Sequence, residues 1–350
     1  MDIDATLVSD PEIDAKPDSE PECQSVIPLA SSGLLSDDNA VLALARFSEG
    51  GKRAALVTLL AVDGGSPRPV GAQMVVGENG LYHGYLSGGC LEQAIALEAQ
   101  SVMAEGQNRL VRYGKGSPYF DVRLPCGSGL NVYFDRGLTA AAIAAMLNFQ
   151  NTRRPFTLTT DLTTGAHHVF ETAREAVLAG SSRDGNVFHQ IYAPAPRIHL
   201  IGTGPIVPAL SQLCKTMGIA TEIWAADEPT RKALDDRAIV HHPTAEPTET
   251  FFNLIDPFTA VVMTFHDHDN EPKLLARLLH TPCFYAGVLG NHAVHRRRVA
   301  SLKEAGENER DLARIHAPIG SIPGAKSVAS LAVGILAEIV AEAKAGGILA

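Results

Sequence analysis

The chain has 350 residues, of which 45% are hydrophobic and 19% charged, and its formal net charge is −10. This length predicts two domains, and the lack of a basic balance excludes a broad nucleic-acid-binding surface. The most apolar stretch, residues 328–349, contains Glu338, Glu342 and Lys344, so it predicts an amphipathic helix rather than a membrane span. Because the N-terminus lacks a basic and apolar signal segment, we expect a cytoplasmic protein without membrane partners.

The acidic charge is concentrated in one terminal segment. Residues 1–22 hold eight acidic residues and one lysine. This composition, with its prolines, predicts a disordered tail over residues 1–36 that is dispensable for folding. The five cysteines, at positions 23, 90, 126, 214 and 283, form no Cys-x-x-Cys pair. Their odd number and spacing favour reduced thiols over a disulfide framework or a zinc knuckle.

Residues 37–192 show the pattern of a mixed α+β domain. Hydrophobic periodicity predicts helices at 37–47, directly after Cys90 and at 138–147, strands at 54–62, 72–76, 81–86 and 131–134, and a hairpin over 155–170. Ser36 is the expected N-cap of the first helix.

A stiff linker, Ala193-Pro194-Ala195-Pro196, is followed by a different pattern. From 197 to 345, apolar strands alternate regularly with helical stretches, which predicts a doubly wound parallel sheet of the Rossmann type. The predicted strands lie at 197–201, 221–225, 238–240, 259–264 and 284–288. We therefore place the domain boundary at residues 193–196.

Two cysteines lie in glycine-rich turns. Ser87-Gly88-Gly89-Cys90 precedes a helix, and Cys126 lies in Leu-Pro-Cys-Gly-Ser-Gly. A helix start presents free N–H groups and the positive end of the dipole, which favour a thiolate and stabilise an adjacent anion. The turn around Ser87, Gly88, Gly89 and Cys90, together with Cys126, is thus a candidate ligand site. The alternative is that Cys90 fills a small space between strand and helix.

A second glycine turn follows the first strand of the C-terminal domain. Gly202-Thr203-Gly204 lies between a strand and a helix, as a dinucleotide fingerprint requires, although Val207 replaces the third glycine. Asp227 follows the next strand, where an acid can bind a ribose. Gly202, Gly204 and Asp227 are therefore candidate ligands of NAD(P) or another nucleotide. Glycines in such turns can also be purely structural.

Two further polar clusters have open interpretations. His266-Asp267-His268-Asp269 follows a predicted strand, where it could bind a metal, move protons or cap a turn. No third ligand has a recognised spacing, so we assign no metal ligands. Arg296-Arg297-Arg298 could bind phosphate or a partner, but consecutive helical residues point three ways, which favours a solvated helix.

Longer segments resemble one known family. They are Gly65–Met74 (Gly-Ser-Pro-Arg-Pro-Val-Gly-Ala-Gln-Met), Ser87–Glu92, Gly202–Gly204 and Arg314–Gly320 (Arg-Ile-His-Ala-Pro-Ile-Gly). Together they resemble the XdhC/CoxI family, the accessory factors of xanthine dehydrogenase and related molybdenum hydroxylases. The resemblance extends from about residue 40 to 343, and the Arg314–Gly320 run is more specific than any glycine motif.

The resemblance implies an N-terminal cysteine-bearing domain and a C-terminal Rossmann-like domain. It also implies a cofactor chaperone without catalytic residues, which binds molybdenum cofactor (molybdopterin) and helps deliver its sulfurated form to an apo-hydroxylase of the xanthine, aldehyde or CO dehydrogenase type. Carried over to this sequence, Cys90 and Cys126 would contact the cofactor or its sulfur. The partners expected with it are the apo-hydroxylase, a cysteine desulfurase and a second copy of the chain in a homodimer.

Two other functions remain open on the residues alone. The Gly202 loop could serve an NAD(P)-dependent oxidoreductase, although no proton donor is evident beyond the cluster at His266. Alternatively, Cys90 could carry a persulfide in a sulfur transferase.

Overall fold

The computed structural model describes residues 39–66, 68–89, 91–117, 127–242, 249–265 and 271–349. The helices are α1 (Ala40–Glu49), α2 (Glu92–Glu105), α3 (Ala140–Asn151), α4 (Arg174–Ala179), α5 (Ile206–Thr216), α6 (Glu228–Asp235), α7 (Glu249–Asn253), α8 (Glu271–Leu279), α9 (His292–Glu304), α10 (Glu309–Leu312) and α11 (Val328–Ala345). Among these residues, no helix combines the length and apolarity that crossing a membrane requires.

The described strands form three sheets. They are β1 (Ala54–Asp63), β2 (Gln73–Gly77), β3 (Tyr82–Gly84), β4 (Arg109–Gly114), β5 (Gly129–Asp135), β6 (Phe156–Asp161), β7 (His167–Glu171), β8 (Ser182–Asp184), β9 (Val187–Tyr192), β10 (Arg197–Gly202), β11 (Ala220–Ala225), β12 (Thr259–Thr264), β13 (Tyr285–Val288) and β14 (Ile315–His316).

The first sheet is antiparallel, with strand order β3-β2-β1-β5-β4. β1 lies at its centre because residues 55–60 form an apolar run that is buried on both faces. α2 packs against one face, where Ile95 and Val102 are fully buried, and α1 and α3 pack against the other. The second sheet, β7-β6-β9-β8, contains the predicted hairpin, in which Thr160 pairs with His167.

The third sheet is parallel, with strand order β11-β10-β12-β13-β14. α5 and α11 pack on one face, whereas α7, α8 and α9 pack on the other. All six residues of β12 are buried, as expected for a strand covered on both sides. The doubly wound Rossmann-type fold predicted for the C-terminal part is therefore confirmed, as is the mixed α and β character of the N-terminal part.

Two local predictions are wrong. Residues 238–240 do not form a strand, because Ala238 has a left-handed φ of 50° in the turn that follows α6, and only Trp224 and His242 form an isolated bridge there. The first helix begins at Ala40 and not at residue 37. Its N-cap is Asn39, whose side-chain oxygen accepts a hydrogen bond from the Leu42 N–H at 3.0 Å, while Ser36 lies outside the described residues.

The N-terminal and C-terminal parts contact each other at the amino ends of the parallel strands. Arg153, at the end of α3, forms an ion pair with Asp256 at 2.6 Å, just before β12. Val177 of α4 packs near Phe258 and Phe284, which precede β12 and β13. Ligands of such sheets bind at the carboxyl ends of the strands. Because the contacts between the two parts lie at the amino ends, this interface does not cover the carboxyl ends. The exact boundary at residues 193–196 stays a prediction.

Candidate functional site

Both candidate cysteines, Cys90 and Cys126, lie outside the described residues, as does the cluster from His266 to Asp269. Their described neighbours nevertheless have a defined place. β3 ends at Gly84 and leads to the turn before α2, while β5 begins at Gly129, directly after the Cys126 segment. Because β3 and β5 run in opposite directions to β2 and β1 respectively, both segments attach to the same edge of the first sheet.

The turn before α2 is organised by the carboxylate of Glu92. Its Oε1 accepts hydrogen bonds from the backbone N–H groups of Leu86 and Ser87, at 2.9 and 2.8 Å. Its Oε2 accepts from the Ser87 hydroxyl and the Gly89 N–H, both at 2.8 Å, and from the Leu91 N–H at 3.2 Å. The predicted anion-binding N–H groups of Ser87 and Gly89 therefore already bind an anion, which is a side chain of this protein.

Glu92 is buried, with 4% of its surface exposed. Burial pushes its pKa upward, but the hydrogen bonds from Ser87 and Leu86 outweigh burial and hold the pKa below its ordinary value. The carboxylate is consequently charged at neutral pH and fixes the turn. The sequence signal for this role was present, since Glu92 is the second residue after Cys90, but acids in the first turn of a helix are common.

The glycines that flank the two cysteines border open space. Gly88 and Gly89 have left-handed φ angles of 77° and 108°, and Gly127 has one of 68°. Apart from chain neighbours, no described atom lies within 4 Å of the position that a Cβ would take on Gly89 or Gly127. None of the described residues therefore blocks the close approach of a ligand to the backbone at Gly89 and Gly127.

Two further loop contacts build this edge of the sheet. The Ser128 hydroxyl donates a hydrogen bond to the Gly65 carbonyl, which ties the Cys126 segment to the loop after β1. Tyr85 directly precedes the turn that Glu92 organises. The guanidinium of Arg68 lies 4.5 Å from the ring centroid of Tyr85 and donates a hydrogen bond to the Tyr85 hydroxyl at 3.3 Å. Arg68 therefore adds a cation near the cysteine-bearing turns, which residue patterns alone did not single out.

The Gly202 loop is packed closely against β12. The Thr203 N–H donates to the Thr264 carbonyl at 3.2 Å, and the Gly204 N–H donates to the Thr230 hydroxyl at 2.8 Å. Asp227 caps α6, since its Oδ1 accepts a hydrogen bond from the Thr230 N–H at 2.8 Å. The candidate nucleotide ligands Gly204 and Asp227 thus have structural partners inside the domain, and Gly202 has a structural role of its own.

Replacing Gly202 with alanine is expected to lower the free energy of unfolding by about 2 kcal/mol. Its φ is 143°, and an added Cβ would lie 2.3 Å from the Thr264 hydroxyl oxygen. Urea unfolding followed by the fluorescence of Trp224, the single tryptophan of the chain, measures the effect.

Gly306→Ala is the matched control, because Gly306 also has a left-handed φ, 97°, but faces open space. We expect this control to cost about 1 kcal/mol, from backbone strain alone. Equal losses in the two variants would contradict the close packing of Gly202 on β12.

Two remaining described cysteines are not reactive. Cys214 and Cys283 are free and buried. Burial raises the pKa of Cys214 to about 12, and it also raises the pKa of Cys283. A buried thiol with a raised pKa is a poor nucleophile and metal ligand. Neither of these two thiols is therefore a candidate ligand.

Comparison with known proteins follows the same two-part division. The profile described as the XdhC Rossmann domain matches residues 198–339, and that of the XdhC and CoxI family matches residues 48–114. The chain is 34% identical, over 83% of both lengths, to the molybdenum cofactor insertion chaperone PaoD of Escherichia coli. The chain belongs to the XdhC and CoxI family. It is also 23% identical to a protein of Bacillus subtilis described as a probable xanthine dehydrogenase subunit, over 83% of this chain and 93% of the relative.

A solved structure shares the fold of this family member. It is a crystal structure described as a xanthine dehydrogenase from Bacillus halodurans, which superposes with a TM-score of 0.68 at 21% identity. The match covers 87% of this chain and 96% of the other. At this identity the similarity shows the fold alone.

The family's Arg314–Gly320 run has a structural role in this chain. Arg314 donates to the carbonyls of Thr281 and Cys283, both at 2.9 Å, and so fixes the segment that precedes β13. Glu338 of α11 accepts the Gly320 N–H at 2.6 Å and the Tyr285 hydroxyl at 2.7 Å. These contacts join the residues around β13 and β14 to each other and to α11, so Arg314 and Gly320 take part in the packing of the Rossmann domain.

One group of described side chains could hold a cation. Ligand atoms of His280, Glu307 and Asp311 lie within 4.8 Å of one another. The three residues come from separate turns, so their spacing in the sequence does not indicate a metal site. His280 is exposed, and its Nε2 already pairs with Glu307 at 3.1 Å.

Proposed function

We propose that this protein binds molybdenum cofactor and delivers it, in sulfurated form, to an apo-hydroxylase of the xanthine, aldehyde or CO dehydrogenase type. The observation that carries the proposal is the 34% identity to PaoD, a molybdenum cofactor insertion chaperone, over 83% of both chains. The family membership and the similarity to PaoD support a maturation role for molybdenum enzymes. Delivery and sulfuration are the finer steps proposed here.

The residues at the cysteine edge fit such a guest. Cys90 and Cys126 would hold it, because soft thiolates are suitable ligands for molybdenum or for its sulfur. The open backbone at Gly89 and Gly127 supports the approach of a bulky group. The cofactor, when bound, supplies the redox chemistry that the hydroxylase uses, and the chain's own residues need only bind and shield it.

The structure refines which groups could contact the phosphate of the pterin. The N–H groups of Ser87 and Gly89 bind Glu92, so they are not available to a ligand in this conformation. Arg68 stacks on Tyr85, which directly precedes Leu86 at the start of that turn. We therefore propose that Ser87, Gly88 and Gly89 position Cys90, and that Arg68 contributes the positive charge.

The alternatives have less support. An NAD(P) oxidoreductase would need Gly204 and Asp227 for nucleotide, but both already bond to Thr230. A sulfur transferase with a Cys90 persulfide is compatible with the proposal, because sulfuration needs a sulfur source such as a cysteine desulfurase. Homodimerisation stays a prediction.

Cofactor transfer tests the proposal. Wild-type protein loaded with molybdenum cofactor is expected to activate a purified apo-hydroxylase faster than free cofactor does. We expect Cys90→Ser to lower the rate of activation at least about tenfold, because a metal-contacting group is lost. Hydroxylase activity against time is the measurement.

Cys23→Ser is the matched control, since Cys23 belongs to the acidic tail that the sequence predicts to be dispensable. It is expected to match wild type. Wild-type protein that fails to accelerate activation, or a Cys90→Ser protein that equals it, would contradict the proposed function.

A further inference from the structure

A small cavity lies between α8 and α9 at the carboxyl edge of the parallel sheet. Its volume is about 160 Å³, and its lining residues are Glu271, Pro272, Val294, Arg297, Arg298 and Ser301. α9 begins at His292, shortly after β13 ends at Val288. The cavity therefore lies on the edge where sheets of this type bind ligands, but away from the Gly202 loop, which follows β10.

The guanidinium of Arg298 is buried in the wall of this cavity. Its side chain is 3% exposed, and its Nε donates to the carboxylate of Glu271, which is equally buried. Its Nη2 donates to the Leu289 carbonyl at 2.9 Å. Its Nη1 is buried and has no hydrogen-bond partner in the part of the chain that the structure describes.

An unpaired N–H of a buried cation is costly, because the group has lost its hydration without gaining an acceptor. Natural structures keep such groups when an acceptor completes them, whether a water, an ion or a ligand. Since Nε and Nη2 already have partners, the third nitrogen is the one left to a group inside the cavity. The missing group must supply an acceptor.

The other lining residues indicate the charge of that group. Arg297 is exposed and lines the cavity, and Ser301 adds a hydroxyl one turn further along α9. Among the described residues that line the cavity, Glu271 is the single acid, and it pairs with Arg298. The described lining residues therefore carry one net positive charge and three donor groups, in a protein whose net charge is −10.

The volume limits the size of the guest. Pockets that enclose whole organic ligands run from about 300 Å³ upward, so this cavity is too small for a nucleotide or a pterin. We propose that it binds a single tetrahedral oxyanion of the phosphate class, held by Arg298 Nη1, the Arg297 guanidinium and the Ser301 hydroxyl. The group is either free phosphate or the terminal phosphate of a ligand whose remainder lies outside. This site goes beyond the proposed cofactor transfer and uses neither cysteine.

Calorimetric titration of the full chain with inorganic phosphate, near neutral pH and at low salt, tests the site. A saturable isotherm with one site per chain is expected. Arg297→Gln is expected to weaken the affinity about tenfold, the effect of one charge-assisted hydrogen bond. Ser301→Ala is expected to weaken it about threefold, as for a neutral donor.

Arg296→Gln is the matched control, because Arg296 is an exposed neighbour on α9 that does not line the cavity. It removes the same charge and is expected to change the affinity less than about twofold. Equal weakening by Arg296→Gln and Arg297→Gln, or the absence of a saturable isotherm for wild type, would overturn the proposal. Neither variant removes the buried pair, so folding is preserved.

Glycerol phosphate and acetate distinguish the sources of the oxyanion. Tighter binding of glycerol phosphate than of inorganic phosphate supports a phosphate that belongs to a larger ligand, whereas the reverse order supports free phosphate. Acetate that competes as strongly as phosphate would overturn the assignment to a tetrahedral oxyanion. Both readouts are independent of cofactor loading, so failure here leaves the proposed transfer function untouched.

Discussion

Glu92→Gln is expected to lower the free energy of unfolding of the N-terminal part by about 3 kcal/mol, because buried donors lose their acceptor. The glutamine amide keeps one oxygen as an acceptor, but its NH₂ group faces N–H and O–H donors that in wild type bind the second carboxylate oxygen. Leu86, Ser87, Gly89 and Leu91 all donate to that carboxylate. Urea unfolding followed by circular dichroism measures the loss of stability.

Hydrogen exchange locates the same effect. The amides of Leu86, Ser87 and Gly89 are expected to exchange faster in Glu92→Gln, since each of them donates to this carboxylate. Glu105→Gln, at the exposed end of the same helix, is the control and is expected to cost no more than about 0.5 kcal/mol. Unchanged stability together with unchanged protection of Leu86, Ser87 and Gly89 would show that Glu92 does not organise the turn.

The stability that Glu92 gives to the wild-type turn depends on pH, and the sign of this dependence follows from the pKa of Glu92. The pKa of Glu92 is lower in the folded protein than its ordinary value, so its contribution is present at neutral pH and is lost as the pH falls through the folded pKa. In Glu92→Gln this acid-dependent contribution should be absent. The difference in stability between the two proteins is therefore expected to shrink as the pH decreases.

The second large effect is acid instability of the Rossmann domain caused by His199. His199 is fully buried on β10, and neither ring nitrogen has a hydrogen-bond partner among the described residues. Burial, with a further contribution from Arg197, lowers its pKa to about 3. Because the unfolded chain takes up the proton near pH 6.5, the stabilisation is complete above that pH and is lost progressively as the pH falls.

At pH 4 the cost is expected to be about 3 kcal/mol, since each unit between the unfolded pKa and the ambient pH contributes about 1.4 kcal/mol. The His199→Leu protein cannot take up this proton. Between pH 7 and pH 4 its free energy of unfolding should therefore fall by about 3 kcal/mol less than that of wild type. Trp224 fluorescence is the readout, because its ring centroid lies 5.5 Å from that of His199.

His280→Gln is the control for this experiment, because His280 is a largely exposed histidine of the same domain. It should keep the wild-type dependence on pH. If His199→Leu loses as much stability in acid as wild type does, the buried neutral histidine is not the cause.

The parallel sheet was predictable from the sequence because burial on both faces leaves uninterrupted apolar runs. β12 follows such a run and has the predicted bounds, while β10, whose apolar run is interrupted only by the buried His199, ends one residue later than predicted. β14 was missed because it has only two residues, Ile315 and His316, and its place depends on β13. Residues 238–240 were misread because Ile239 and Val240 are β-branched, while the left-handed φ of Ala238 ends the segment as a turn.

In the candidate site too, local sequence patterns were predictable, whereas contacts made by folding were not. Glycine-rich turns at Gly89 and Gly202 could be found by pattern, but their hydrogen-bond partners could not. Glu92 accepts the N–H groups assigned to a ligand, and Thr230 pairs with Gly204 across 26 residues.

The arginine run shows that pattern and burial can disagree within one helical turn. Three consecutive arginines favoured a solvated helix, and Arg296 and Arg297 are indeed exposed. Arg298 is buried against Glu271, which lies 27 residues away in the sequence. Only the packing of α8 on α9 reveals this pair and the cavity beside it.

The most direct test of the account is the molybdenum and pterin content of the protein purified from a molybdenum-replete host, by metal analysis and pterin fluorescence. Wild type is expected to carry molybdenum and pterin in equal amounts, and Cys90→Ser and Cys126→Ser are expected to retain about a tenth or less. Wild-type protein that contains neither and binds neither when offered cofactor would contradict the account. So would cysteine variants that retain as much as wild type.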